Sequence, residues 1–140
     1  MTTRITYTDC IVFLLAKANQ KAQKNLKKRM KAFGLTTVQG LVLGAIYEEN
    51  GMTASEIGNR LVLDNATISG VLDRLMDGGW IVKKSDDNDR RVQRIFLTDQ
   101  SNTKLVDELF QVRSDANEET MNNLSLEERV LLKRLLRDLK

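Results

Sequence analysis

Two apolar runs, "WIV" and "IFL", enclose the charged stretch "KKSDDNDRRVQR", Lys83 to Arg94, and the glycine pair Gly78–Gly79 stands just ahead of them. Apolar residues on both sides of an acid-rich turn predict two short strands, Trp80–Lys83 and Val92–Leu97, joined by a projecting tip. The glycines end the helix before them. That helix is legible in "LDNATISGVLDRLMDGGW", with a cap at Asp64/Asn65 and an apolar face of Ile68, Val71, Leu72 and Leu75. Upstream, "TASEIGNRL" sets Thr53 three residues before Glu56, the spacing of a capping box, so a further helix begins at Ala54. Two short helices at 54–62 and 65–77, a tight turn between them and a hairpin after them predict a helix-turn-helix with a wing.

The rest of the chain reads as helix. From about Thr8 to Phe33, Ile11, Leu14, Leu15, Ala18, Ala22, Leu26, Met30 and Phe33 recur at spacings of three and four, one long amphipathic helix stopped by Gly34. A second helix starts with Thr36 or Thr37 as its cap, buries Val38, Leu41, Val42, Ala45 and Ile46, and ends at Gly51. After the hairpin, Thr98 and Asp99 cap a helix running to about Asn123, with Leu105, Leu109, Val112 and Ala116 in line. Ser125 with Glu128 caps a last one. The fold class is therefore mostly α with a small β-hairpin wing. A chain of 140 residues without proline suits one such domain. Its two ends carry more apolar surface, at 10–33, 105–116 and 130–139, than the compact middle at 36–98 can cover.

Composition excludes several functions. Histidine is absent and Cys10 is the only cysteine, so no His/Cys zinc site, His-dependent triad or intrachain disulfide can be built. No nucleophile–base pair or metal constellation is apparent, so neither enzymatic activity nor a cofactor is expected. One cysteine fits a reducing cytoplasm. The apolar run from Cys10 to Ala16 imitates a signal peptide, but Asp9 abuts it and the helical pattern continues through Lys31. No stretch reaches the ~20 apolar residues that cross a membrane.

The chemistry lies in the middle. A duplex major groove admits one α-helix and is read by short polar side chains near the helix start. Asn65, Ala66, Thr67, Ser69 and Gly70 supply such a first turn, and Arg74 follows one turn later, within reach of a phosphate or a guanine. Taken singly, these residues are ordinary caps and solvated positions. Set before a hairpin that carries Arg90, Arg91 and Arg94, they point to duplex DNA. A wing arginine enters the adjacent minor groove, where the negative potential is enhanced. Asp89, two residues before Arg91, orients its guanidinium through a charge-assisted hydrogen bond. Lys83 and Lys84 lie near phosphates, Thr37 adds a backbone contact, and Asp86 and Asp87 keep the turn solvated.

Over nearly its whole length the sequence resembles the MarR family of bacterial winged-helix regulators. "LTTVQGLVL" is similar to that family's second helix, and "LVLDNATISGVLDRLMDGGWIVKKSDDNDRRVQRIFLT" to its recognition helix and wing. Ser101 stands where the family usually has a glycine. The resemblance implies a homodimer interlocked through the helices at 8–33 and 99–140. It also implies a pseudo-palindromic double-stranded operator, usually repressed, and a small-molecule effector, often an aromatic acid, that loosens binding. Phe13, Lys17, Gln39, Val42 and Ile46 are candidate effector contacts, and equally ordinary core or surface residues.

Other features stand apart. Lys17, Lys21, Lys24, Lys28 and Lys31 form one stripe on the first helix, either a solvated face or an anion site at Lys21, Lys24 and Lys28 for DNA backbone or thioester phosphates. Cys10 lies near the region where one branch of the family senses peroxide, and an inert thiol is the plainer reading. Rival readings of the whole chain are a protein-docking winged helix and a non-specific architectural protein. A steep fall of binding with salt separates DNA from an apolar partner, and a specificity ratio separates operator from bulk DNA.

Overall fold

The computed structural model describes Arg4 and Thr6–Leu139. The chain divides into two compact units, Met30–Gln111 and a helical unit made of Met1–Arg29 with Val112–Lys140.

In the first unit, α2 (Thr37–Glu48), α3 (Ala54–Leu61) and α4 (Asn65–Asp77) pack around the hairpin of β1 (Ile81–Ser85) and β2 (Gln93–Leu97). Each helix begins where a side chain satisfies an orphan N–H group. Thr36 and Gln39 cap α2 reciprocally, with the Thr36 N–H donating to Gln39 Oε1 at 2.8 Å. The Thr53 hydroxyl accepts from the Glu56 N–H at 3.2 Å. Asp64 Oδ1 accepts from the Thr67 N–H at 2.7 Å. The core is the apolar face of these helices laid on the inner face of the hairpin: Val42, Leu43, Ile46, Ile57, Ile68, Leu72, Leu75, Ile81 and Ile95 are all buried. The strands pair antiparallel in the register Ile81↔Leu97 to Ser85↔Gln93.

Beyond the hairpin, Ile95 makes an isolated bridge to Met52, donating to the Met52 carbonyl and accepting from the Gly51 N–H, both at 2.9 Å. The α2–α3 connection thus acts as a third edge of the sheet. The turn at Gly51 has φ +94°, and a Cβ there would crowd the Phe96 ring at 3.3 Å, which is why glycine occupies it.

The helical unit contains most of α1 (Ile11–Met30), most of α6 (Phe110–Thr120) and all of α7 (Leu126–Asp138). Asn25 of α1, 7% exposed, donates to Thr120 Oγ1 of α6 at 3.0 Å. Glu119 takes Lys28 at 2.8 Å and Arg29 as partners, and these hydrogen bonds hold its carboxyl below the usual range. Ser125 and Glu128 form the expected capping box of α7, and Arg129 Nε closes the α6–α7 turn onto the carbonyls of Met121 and Leu124 at 3.0 and 3.1 Å.

Several features differ from the sequence reading, among them Leu41, which is exposed while Leu43 takes the buried place on α2. The first helix is bounded by single 3-10 turns at Tyr7–Asp9 and Lys31–Phe33, and Gly34 caps it with φ 69° as expected. The helix after the hairpin is interrupted: α5 (Asp99–Lys104) passes through a π-turn at Leu105–Leu109 before α6. One extra residue in a turn rotates the remainder of a helix by about 100° about its axis. Leu105, Leu109 and Ala116 are 2%, 4% and 2% exposed, so they are already covered within this chain. The surplus expected at 10–33 and 130–139 is present, on Ile11, Val12, Leu14 and Leu15 of α1 and on Val130, Leu135 and Leu136 of α7, all exposed, while within 105–116 Val106 is exposed.

Leu72 sits at the centre of the first unit with no exposed surface. Leu72→Ala is expected to lower the unfolding free energy by about 2–5 kcal/mol, seen as a lower urea midpoint with an unchanged m-value.

Candidate nucleic-acid interface

The turn between α3 and α4 is made by Val62 in the left-handed region, φ 57° and ψ 48°, with the Leu63 N–H donating to the Gly58 carbonyl at 2.8 Å. A Cβ on Gly58 would stand 3.1 Å from the Leu63 carbonyl oxygen, so a larger residue would have to push that carbonyl back by a few tenths of an ångström. The helix-turn-helix expected from the sequence is therefore present, and Asp64 is the residue that starts its second helix. The Thr67 N–H and hydroxyl hold the Asp64 carboxyl below its ordinary range. A depressed carboxyl contributes stability above its unfolded pKa and loses it as the pH falls through the folded one.

On α4, Ile68, Val71, Leu72 and Leu75 turn inward, while Asn65, Ala66, Thr67, Ser69 and Arg74 are exposed. Gly70 is half-buried, yet a Cβ built on it meets nothing within 4 Å. Packing inside the chain therefore gives no reason for a glycine that costs a helix interior about 1 kcal/mol. The outward face of the first two turns is small, polar and open.

The wing tip is folded by its acids. The Asp86 N–H donates to the Val92 carbonyl at 2.9 Å, and the Val92 N–H to the Asp89 carbonyl at 3.0 Å. Asp89 grips Arg91 as the sequence reading expected: Oδ1 accepts from Nε and Oδ2 from Nη2, each at 3.1 Å, and Oδ1 also takes the Arg91 N–H at 3.1 Å. This fork holds the Asp89 carboxyl below its usual range and the Arg91 guanidinium above its own, so both stay charged. The Arg91 side chain is nonetheless 90% exposed. The acid aims it without burying it.

Arg90, Lys83 and Lys84 are exposed, with the Lys84 ammonium 5.2 Å from the Phe96 ring centroid. Arg94 is placed differently from its neighbours. Half-buried, it donates through Nη1 to the Gly51 carbonyl at 3.0 Å and pairs through Nη2 with Asp86 Oδ2 at 3.4 Å. Asp86 is thus more than a solvating turn residue, since it also accepts the Asn88 N–H at 3.3 Å. Sequence reasoning missed this pair because the two residues meet only once the hairpin register is set.

The remaining candidates are scattered. Thr37 is the first residue of α2 and half-buried. Val42 and Ile46 are fully buried in the core, and Gln39 is occupied by the α2 capping box. Phe13 and Lys17 belong to the helical unit, where Phe13 meets Tyr7 edge-on at 5.3 Å. Of the lysine stripe, Lys17, Lys21, Lys24 and Lys31 are exposed and Lys28 is paired with Glu119. Cys10 is exposed, in extended backbone just before α1.

A family model described as the MarR family matches residues 33–92. The HTH-type transcriptional regulator TtmR of Methylorubrum extorquens is 39% identical over 88 residues, covering 63% of this chain and 44% of TtmR, so the match spans less than half the length of that relative. BpsR from Bordetella bronchiseptica, solved for the mechanism by which 6-hydroxynicotinic acid regulates its DNA binding, superposes with a TM-score of 0.88 at 25% identity, covering 96% of each chain. A point mutant of E. coli MarR, solved in complex with operator DNA, superposes with a TM-score of 0.82 at 26% identity, covering 96% of this chain and 97% of that one. The match over residues 33–92, the helix-turn-helix and the wing agree: the chain resembles the MarR family of winged helix-turn-helix transcriptional regulators in sequence and in fold.

Proposed function

We propose that this protein is a dimeric, sequence-specific repressor that binds a pseudo-palindromic DNA duplex in the cytoplasm and releases it on binding a small aromatic acid or thioester-like effector. The observation that carries the DNA reading is Arg91, exposed and aimed by the Asp89 fork, on the same lobe as the small polar face of α4. Asn65, Ala66, Thr67, Ser69 and Gly70 meet base edges in the major groove, Arg91 enters the minor groove, and Thr37, Arg74, Lys83 and Arg90 meet the backbone. A relative solved with operator DNA and another whose DNA binding responds to 6-hydroxynicotinic acid support the reading.

Dimerisation is supported by the helical unit. Ile11, Leu14 and Leu15 of α1 and Leu132, Leu135 and Leu136 of α7 line a largely apolar groove of about 850 Å³. A second copy of the same helices would cover it, and two-fold symmetry in the protein would be mirrored in the operator.

The deciding experiment is selection from a random duplex library at near-physiological salt. A two-fold-symmetric motif with half-sites about one helical turn apart is the expected result. Salt-steep binding without enrichment would indicate an architectural protein instead. With the operator in hand, Arg91→Ala should weaken binding about ten- to a hundredfold and leave the melting temperature unchanged. Gly70→Ala should stabilise the free protein by up to about 1 kcal/mol while weakening operator binding, since the added methyl fills space kept for DNA. Leu135→Asp should yield a monomer in sedimentation, and tight binding of one full palindrome by that monomer would defeat the dimer reading.

A further inference from the structure

Arg94 stands with Arg90 and Arg91 in one basic run, yet its geometry is that of a brace. Its guanidinium lies between two acceptors from separate parts of the first unit. One is the Gly51 carbonyl in the α2–α3 connection, at 3.0 Å, and the other is Asp86 Oδ2 at the base of the wing tip, at 3.4 Å. The side chains of Arg94 and Asp86 are 38% and 21% exposed, against 90% for Arg91. The backbone next to Arg94 joins the same two regions, through the exchange between Ile95 and Gly51–Met52. Asp86 in turn holds the tip closed through its N–H to the Val92 carbonyl.

We infer that Arg94 and Asp86 are positioning residues that lock the wing to the α2–α3 connection and thereby set where Arg91 can reach. The inference rests on the DNA-binding reading above and deepens it. The buried face of the hairpin and the Ile95 bonds fix its base. The tip beyond them projects with its own turn bonds and the Arg94–Asp86 pair to hold it. A planar fork bonded to two fixed acceptors supplies restraint, whereas an ammonium, with one flexible point charge, spans the two acceptors poorly. An aspartate at a DNA-facing tip opposes phosphate, and its position is explained if it holds an arginine in place.

The test uses Arg94→Lys and Asp86→Asn in the full-length protein, with the selected operator and with hydrogen exchange of the free protein over residues 85–97. As a brace, Arg94→Lys should weaken operator binding about tenfold although the charge is kept, as coupled partners in one network do. Asp86→Asn should weaken it as well, although a repulsive charge has been removed. Both should leave the slope of log affinity against log salt as in the wild type and speed exchange in the wing.

If Arg94 touches phosphate instead, Arg94→Lys keeps wild-type affinity and Asp86→Asn binds more tightly, and either result overturns the inference. Unchanged exchange in both variants overturns it too. Failure of the wild type to bind any duplex would sink the functional reading, while the exchange measurement would still report whether the brace holds the wing.

Discussion

The lobe that carries the candidate interface depends on how β2 is held. Ile95 is 1% exposed, its side chain lies in the core, and its backbone N–H and carbonyl are both spent on the Gly51–Met52 segment. A two-stranded hairpin is marginal in water by itself, because too little of its surface is buried to offset the entropy of ordering it. Here the inner face of the hairpin rests on Ile57, Ile68, Leu72 and Leu75 of the helix-turn-helix, and its outer edge is bonded to the turn after α2. Wing and α4 are thereby parts of one core, and the distal residues of the wing can be almost wholly polar.

That arrangement answers why a hairpin tip rich in arginine also carries acids. Each acid costs some attraction for a polyanion, but a long side chain in water also loses rotamer entropy when a ligand fixes it. Asp89 settles part of that cost in advance by holding Arg91 in a bidentate fork while leaving it 90% exposed. Asp86 is half-buried and turned to Arg94. The two acids therefore do different things, although in sequence they are three residues apart in one charged run.

The helical unit obeys another logic. Its polar contacts, Asn25 with Thr120, Lys28 and Arg29 with Glu119, and Arg129 with the α6–α7 turn, join α1, α6 and α7 within one chain. Its apolar residues on α1 and α7 are mostly left exposed. A helix with an uncovered apolar stripe gains little by folding alone, which is the physical reason to expect a second copy of the chain.

Features governed by neighbours in the chain were legible from residue order alone. Ser125 caps the helix it precedes, the caps at Thr36 and Asp64 were legible to within one residue, Gly34 ends the first helix in the left-handed region, and Asp89 grips the arginine two residues on, because each needs only short-range geometry. Amphipathic spacing likewise marked Ile68, Leu72 and Leu75 as core. Periodicity could not reveal which apolar faces find a cover: Leu105 and Leu109 are buried around a π-turn, whereas Leu135 and Leu136 stay exposed with the same pattern. Nor could it separate Arg94 from Arg91. Arg94 meets a carbonyl 43 residues away and an aspartate across the hairpin, and those partners exist only after β2 has docked against the α2–α3 turn. Short-range bonding is written in the order of residues; the role of a side chain whose partners are distant is set by how the chain packs.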